Sequence, residues 1–264
     1  MTNRIKADLH NHFSTWSEGW GNFDDIIDTI SKNFGQGVVG LSNCKDNRYE
    51  TFVDSSSGNS KYERVEIGGD KNALFVPEKN LLIVRGQEVF TEQGHFLVLG
   101  TPKKHRIASE DLTDVVKEAN DIGAGTIAIH PYFQGTGKYL ERHPELLDQI
   151  DSIEIYNASL ELFSLFGKNY NGLTKRLFIH GIHHDLGCCA FTDGHSIESI
   201  GTSYTMIPEL NMNSSQALRS SLKKALEQTI KKEHLVKNSA IIDSFIHGVQ
   251  LGSWTLKEKL LGRG

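Results

Sequence analysis

The stretch Asp8-Leu9-His10-Asn11-His12 directly follows a short run with strand character, Arg4–Ala7. Two histidines one residue apart on an extended segment face the same side, so both imidazoles can reach one metal ion. A single His-x-His pair also fits two surface or core histidines. The interpretation therefore depends on whether later stretches of the chain supply further ligands.

Beyond this stretch, short β-rich runs alternate with apolar residues at helical spacing, which is typical of a parallel sheet covered by helices. The predicted strands are Val38–Leu41, Leu81–Val84, Phe96–Leu99, Thr126–Ile129, Ser152–Tyr156, Cys189–Thr192 and Ser203–Ile207. Helices are predicted over Phe23–Phe34, between Ser109 and Gly123, after Ser214, and over Ile241–Leu261. The alternation predicts one α/β domain over residues 1–264, with a barrel at about 5–210 and C-terminal helices at about 213–262 packed on it.

One segment interrupts this alternation. Lys45–Lys79 is polar and includes the run Asp54-Ser55-Ser56-Ser57-Gly58-Asn59-Ser60. We expect an insertion at about 45–80 between two barrel strands, with a long loop that is either a cover over the substrate or a plain surface insertion.

Composition narrows the class of partner. The 264 residues carry 28 basic and 33 acidic side chains and a formal net charge of −5, which favours small substrates over a broad grip on nucleic acid. Three cysteines do not make a disulfide framework, and the first residues offer no apolar signal segment, so we expect a cytoplasmic protein. No run reaches the roughly 18 apolar residues of a membrane span.

Ionisable residues recur next to the apolar strands. Because strand ends converge on one face of a parallel α/β barrel, these residues can share one site. They are His10, His12, Glu88, His130, Asp193 and His195, with His95 at the start of a further strand. Each alone fits a cap, a turn or a solvated side chain, but six such coincidences together favour a metal site.

The order of the motifs resembles the PHP (polymerase and histidinol phosphatase) superfamily of metal-dependent phosphoesterases, over about residues 5–205. The motifs are Asp8–His12, Gly86-Gln87-Glu88, Gly94-His95-Phe96-Leu97, Ile129-His130-Pro131, Ile153-Glu154-Ile155-Tyr156-Asn157 and Thr192-Asp193-Gly194-His195-Ser196. The resemblance implies a distorted (β/α)7 TIM-like barrel with two or three metal ions at the C-terminal ends of the strands.

The resemblance also implies roles for the site residues. One metal would be held by His10, His12, Glu88 and Asp193, while Glu88 bridges to a second metal held by His95 and His130. His195 would bind a third metal or the substrate. Asp8 is expected to orient a histidine without binding metal itself.

Two stretches depart from the family pattern. A Ser-Asp-Gly sequence usually follows the His-x-His pair, and here Ser17-Glu18-Gly19 comes after one extra residue. Where relatives have Thr-Asp-His, this chain has Ser42-Asn43-Cys44. Glu18 can replace an aspartate and Cys44 can bind zinc as a thiolate, so both are candidate ligands, although Asn43 has lost a charge.

The expected function is hydrolysis of a phosphate ester of a small metabolite or nucleotide by a water molecule that the metals activate. Zinc, manganese and iron all suit imidazole and carboxylate ligands. His195 and Asp193 are the expected catalytic residues, with His195 donating a proton to the leaving oxygen, and Arg85 is a candidate phosphate clamp.

Two alternatives stay open. The first is a nuclease acting on DNA or RNA, which the basic run Lys103-Lys104-His105-Arg106 favours. The second is a non-catalytic binding module with a partly degraded site, which Asn43 and Cys44 favour.

Overall fold

A computed structural model describes residues 3–13, 22–55, 60–134, 136–164, 166–181, 186–230 and 235–237. The strands are β1 (Arg4–Asp8), β2 (Gly37–Asn43), β3 (Val65–Glu66), β4 (Ala73–Val76), β5 (Leu81–Thr91), β6 (Gly94–Leu99), β7 (Gly125–Ala128), β8 (Ser152–Asn157), β9 (Gly187–Phe191), β10 (Ser203–Pro208) and β11 (Leu235–Lys237). The helices are α1 (Phe23–Asn33), α2 (Arg48–Asp54), α3 (Leu112–Asp121), α4 (Thr136–Arg142), α5 (Glu161–Ser164), α6 (Tyr170–Gly181) and α7 (Ser215–Glu227).

The helices with the strongest sequence signals begin where side chains cap them. Asn22 accepts a hydrogen bond from the backbone N–H of Asp25 at the start of α1, and Ser214 accepts one from Ala217 at the start of α7. The cap of α3 is Asp111, whose side chain accepts hydrogen bonds from the backbone N–H groups of Thr113 and Asp114. These three predicted helices are confirmed.

Eight strands form a nearly closed, barrel-shaped sheet in the order β10-β1-β2-β5-β6-β7-β8-β9. The predicted TIM-like α/β barrel is therefore confirmed. The sheet is not wholly parallel, however, because β6 runs antiparallel to both of its neighbours and β10 runs antiparallel to β1. β10 and β9, at the two ends of this strand order, meet through the hydroxyl of Thr205. This hydroxyl accepts from the backbone N–H of Ala190 at 2.8 Å and donates to the Ala190 carbonyl at 3.2 Å.

Alternation along β5 separates the inside of the barrel from the outside. Leu82 and Val84 pack in a cluster with buried residues from six other barrel strands, and Leu218 and Leu222 of α7 join that cluster. The neighbours of Leu82 and Val84 along the strand pack instead against the apolar face of α1. The interior is thus a filled core, as in other barrels of this type, and the chemistry has to lie at one end of it.

The insertion between β2 and β5 has more structure than the sequence suggested. Tyr49, Phe52 and Val53 of α2 are buried against the α1 side of the sheet. β4 pairs antiparallel with the first part of β5, in the register Ala73↔Val84 to Val76↔Leu81. The expectation of one long loop is wrong, since α2 anchors the segment to the barrel; residues 56–59 lie outside the described residues.

The C-terminal part agrees with the sequence prediction as far as α7. Past α7, β11 pairs antiparallel with β10 in the register Ser203↔Lys237. The predicted helices over Ile241–Leu261 lie outside the described residues, and the single-domain boundaries stay a prediction. None of the helices in the described ranges combines the length and the apolar character needed to cross a membrane.

Candidate metal centre

The side chains that the sequence selected converge at one end of the barrel. His10 and His12 follow β1, Cys44 follows β2, His130 follows β7, and Asp193 and His195 follow β9. Glu88 and His95 come from within β5 and β6, because these two strands form a hairpin that continues past the apolar part of the sheet. The structure therefore brings seven of the predicted ligands and Cys44 into one region.

The Glu88 carboxylate lies at the centre of this region. Its Oε2 atom is 2.9 Å from His12 Nε2, 3.6 Å from Cys44 Sγ and 4.0 Å from His10 Nε2. Its Oε1 atom is 2.5 Å from His95 Nδ1 and 3.7 Å from His130 Nε2. The two oxygens thus face two different sets of imidazoles.

Asp193 faces the first of these sets. Its Oδ1 atom is 3.4 Å from His10 Nε2 and 3.5 Å from His12 Nε2. Asn157 donates a hydrogen bond to its Oδ2 atom at 3.1 Å. Asp193 has a φ of 57°, in the left-handed region that costs energy for a residue with a side chain, so the surrounding structure holds it there.

Three overlapping groups of ligand atoms are close enough to hold a metal ion. In each group the atoms lie within 4.8 Å of one another. The groups are His10–Glu88–His130, His10–His12–Asp193 and His12–Cys44–Glu88. His10 Nε2 is buried and has no hydrogen-bond partner among the described residues, although it points at two carboxylates. This donor set and this unpartnered nitrogen fit divalent metal ions.

The electrostatics of the cluster also favour a cation. Burial alone would lower the pKa of His10, yet the carboxylates of Asp193, Glu154 and Glu88 raise it to about 10. The surrounding imidazoles hold the pKa values of Glu88 and Asp193 below their usual range against the opposing effect of burial. Three buried carboxylates therefore share one small volume, and positive charge is what stabilises them there.

His195 differs from the other histidines. Burial lowers the pKa of His195 to about 4, because the effect of burial outweighs the opposing effect of the Asp193 carboxylate. Its Nδ1 atom lies 3.0 Å from the Asp193 carbonyl oxygen, and its ring centroid is 5.1 Å from that of His12. At neutral pH this environment favours the neutral imidazole, which is the form that binds metals. Its predicted roles as ligand and proton donor stay predictions.

Three solved structures share this architecture. One is a two-domain protein from Bacteroides vulgatus containing a predicted PHP-like metal-dependent phosphoesterase, with a TM-score of 0.52 and 16% identity over 86% of this chain and 64% of that one. Another is the lesion-specific endonuclease EndoQ from Pyrococcus furiosus, with a TM-score of 0.52 and 15% identity over 86% of this chain and 56% of that one. The third is PsfC from Pseudomonas syringae, with a TM-score of 0.53 and 15% identity over 87% of this chain and all of that one.

This chain has the fold of these three structures. It spans less than two thirds of the length of the first two similar structures. At these identities the likeness establishes the fold alone. No family model and no curated protein matches the sequence.

Within this fold, two site residues received no role from the sequence. The first is Glu154 of β8, whose Oε1 atom lies 3.1 Å from His10 Nδ1. Its Oε2 atom accepts hydrogen bonds from the backbone N–H of His130 at 2.7 Å and from the side-chain amide of Asn157 at 3.1 Å. Asn157 connects Glu154 to Asp193. A glutamate inside an otherwise apolar strand is the sequence signal that identifies this residue.

Glu154 takes the role that the sequence suggested for Asp8. The Asp8 carboxylate accepts hydrogen bonds from the backbone N–H groups of Thr192 and Gly201, at 3.0 and 2.8 Å, so the expectation that it orients a histidine is wrong. Burial raises the pKa of Asp8 to about 7. Its contacts tie β1 to the loops after β9, which carry Asp193.

Arg85 does not lie in the site, so its predicted role as a phosphate clamp is wrong. It is three residues before Glu88 on β5, and side chains an odd number of positions apart point to opposite faces of a strand. Its guanidinium is buried on the outer face of the barrel sheet. There, Nε donates to Glu50 Oε1 at 2.6 Å and Nη1 donates to the hydroxyl of Thr101.

The two departures from the family pattern have different outcomes. Glu18 lies outside the described residues, so its role as a ligand stays a prediction. Cys44 reaches the centre, with Sγ 3.3 Å from His12 Nδ1. Asn43 turns away and hydrogen bonds with the backbone N–H of Tyr49 and the carboxylate of Glu50, both at 2.7 Å.

Proposed function

We propose that this chain is a metal-dependent hydrolase, and specifically a phosphoesterase that uses at least two divalent ions. The observation that carries the proposal is the position of Glu88. One of its oxygens faces His10 and His12, and the other faces His95 and His130. A carboxylate shared in this way between two sets of imidazoles is the arrangement that a two-metal hydrolase needs.

The ligand sets follow from these contacts. His10, His12 and Asp193 would hold one ion, His95 and His130 would hold the other, and Glu88 would serve both. Zinc, manganese and iron all fit the donor atoms. When bound, such ions lower the pKa of water and neutralise the charge of the phosphoryl oxygens.

The remaining site residues orient the ligands and handle protons. Glu154 accepts the Nδ1 proton of His10, which leaves Nε2 directed at Glu88 and Asp193. Asn157 holds Asp193 in place. We assign to His195 ligation of a third ion, which suits its neutral imidazole, or transfer to the leaving oxygen of a proton that it first takes from the attacking water. Its ring lies beside that of His12.

A small phosphate ester or nucleotide is the proposed substrate. Phe133, Phe163 and Tyr170 form a cluster of half-buried rings with centroids 5.4 to 5.8 Å apart, and Phe133 lies 6.0 Å from His130. Such a surface beside the metal ligands suits a flat leaving group. The nuclease alternative loses support because Lys103 pairs with Asp54 and His105 pairs with Glu118.

The experiment combines metal analysis with a substrate panel. We expect about two ions per chain after loading with zinc or manganese, and hydrolysis of 4-nitrophenyl phosphate and of nucleotides. Glu88→Gln should lower this activity by more than about tenfold, because even partners of metal ligands contribute about 10–100-fold. Glu92→Gln, an exposed change in the same hairpin, is the matched control.

The outcomes separate the alternatives. Fewer than one ion per loaded chain, or full activity in Glu88→Gln, would contradict the two-metal proposal. Faster cleavage of single-stranded oligonucleotides than of mononucleotides, with a steep dependence on salt, would favour the nuclease. Tight metal binding without hydrolysis of any phosphate ester would favour the binding module.

A further inference from the structure

Cys44 stands apart from the imidazole and carboxylate ligands of the cluster. Its Sγ atom lies 3.3 Å from His12 Nδ1 and 3.6 Å from Glu88 Oε2. These three side chains form one of the groups whose ligand atoms lie within 4.8 Å of one another. The other two cysteines are buried elsewhere, with the Sγ of Cys188 donating to the Thr229 carbonyl and that of Cys189 next to the Ser152 hydroxyl.

A second observation indicates a bound ion beside the Glu88 oxygen that Cys44 contacts. His10 Nε2 is completely buried, has no hydrogen-bond partner among the described residues, and points at the same Glu88 oxygen that Cys44 contacts. A buried polar atom without a partner is costly, so it implies a group that satisfies it. The carboxylate oxygen between His10 and Cys44 would be shared with that group.

The two residues before Cys44 have different surroundings. Asn43 is engaged by Tyr49 and Glu50 on the outside of the barrel. The hydroxyl of Ser42, two residues before Cys44 along the chain, is buried without a hydrogen-bond partner among the described residues. At the end of β2, the Cys44 thiol is the atom that forms a group with ligand atoms of His12 and Glu88, all within 4.8 Å of one another. A thiolate added to the imidazole of His12 and the carboxylate of Glu88 makes this ligand set softer than the set of His95, His130 and Glu88.

Resting on the proposed function, we propose that Cys44 binds metal as a thiolate together with His12 and Glu88, and that this subsite selects zinc or cobalt over manganese and magnesium. On binding, the Cys44 thiol loses its proton to solvent and a sulfur–metal bond forms, with no change of oxidation state. Soft sulfur ligands favour zinc, whereas manganese and magnesium prefer oxygen ligands. One chain thus combines a thiolate subsite with a subsite of imidazoles and carboxylates.

Cobalt substitution tests the proposal without reference to turnover. Metal-free protein is titrated with Co²⁺ and the near-ultraviolet absorption is recorded, because a thiolate bound to cobalt gives a charge-transfer band that imidazole and carboxylate do not. We expect the band in the unmodified protein, its loss in Cys44→Ser, and its retention in the matched control Cys188→Ala. Zinc affinity of one subsite should fall by at least about tenfold in Cys44→Ser.

Two further measurements keep the test decisive if Cys44→Ser does not fold. X-ray absorption of the zinc-loaded unmodified protein should show a sulfur neighbour at about 2.3 Å. Cys44→His should bind metal without the band and should retain manganese more tightly than the unmodified protein does. Cobalt binding without the band and without a sulfur neighbour would overturn the role of Cys44 and leave the proposed function intact. Absence of any metal binding would overturn both.

Discussion

Replacing Glu154 by glutamine tests whether the carboxylate behind His10 determines metal affinity. The three groups that surround this carboxylate are His10 Nδ1, the backbone N–H of His130 and the side-chain amide of Asn157, at 3.1, 2.7 and 3.1 Å. The last two are donors, and His10 is a third donor in the tautomer that leaves Nε2 for a metal. Glutamine offers one acceptor oxygen and one NH₂ group in the same volume.

The least costly arrangement of Glu154→Gln predicts the size of the effect. If the amide oxygen stays with His130 and Asn157, the NH₂ group faces His10 Nδ1, and that atom has to become an acceptor. The proton then moves to His10 Nε2, the atom that faces Glu88 and Asp193. We therefore expect metal affinity to fall by about 10–100-fold, or about 1.4–2.8 kcal/mol. The metal-free protein should lose stability as well, because the Glu154 carboxylate is one of the charges that raise the pKa of His10.

The assay is competition for zinc between the protein and a chelator, together with urea unfolding of the metal-free protein. Glu145→Gln is a matched control, because Glu145 Oε1 is also 3.1 Å from a histidine Nδ1, that of His143, but on the exposed surface. Equal zinc affinity in Glu154→Gln and the unmodified protein would refute the reasoning. A loss of stability without a loss of affinity would show that Glu154 is only a packing residue.

Two other predictions concern regions outside the metal centre. Arg85→Met should lower the free energy of unfolding by about 1–3 kcal/mol, because the Glu50 carboxylate loses a partner, while the metal content stays unchanged; a loss of metal would contradict this. Asp28 accepts from Lys61, Tyr62 and Lys79, and these hydrogen bonds hold its pKa below the usual range. The ionised Asp28 carboxylate therefore stabilises the fold above the ordinary carboxyl pKa of about 4, and this contribution is lost as the pH falls. Urea unfolding should show a difference in stability between Asp28→Asn and the unmodified protein at pH 7, and this difference should shrink towards pH 3. A constant difference would be the contrary result.

The sequence predicted the elements whose pattern is regular and missed those where function interrupts it. The sequence placed the strand of Glu88 at Leu81–Val84 and the next at Phe96–Leu99, yet β5 extends to Thr91 and β6 begins at Gly94. Glu88 and His95, which lie between them, break the apolar pattern because they face the site. The two-residue connection between Thr91 and Gly94 is the feature that makes this pair antiparallel.

Two other features could have been predicted from the sequence, namely the helix α2 and the outward direction of Arg85. Tyr49, Phe52 and Val53 have the spacing of a buried helix face, yet the serine-rich run that follows suggested a loop. Arg85 and Glu88 differ by an odd number of positions, so strand alternation alone separates them. The distances around Glu88 and the connection from Glu154 through Asn157 to Asp193 needed the structure, because they join residues far apart in the chain.

The departure at Asn43 follows from α2 and does not require a degraded site. Asn43 Oδ1 accepts from the backbone N–H of Tyr49, and its NH₂ group donates to Glu50 Oε2 at 2.7 Å. Glu50 Oε1 in turn accepts from the buried Arg85. An aspartate at position 43 would place a second carboxylate against Glu50, a repulsion that asparagine avoids because one end of its amide accepts and the other donates. Position 43 thus serves the helix that covers the outside of the barrel, while the next residue, Cys44, still reaches the ligands inside it. The loss of a charge at Asn43 is therefore no argument for a non-catalytic chain.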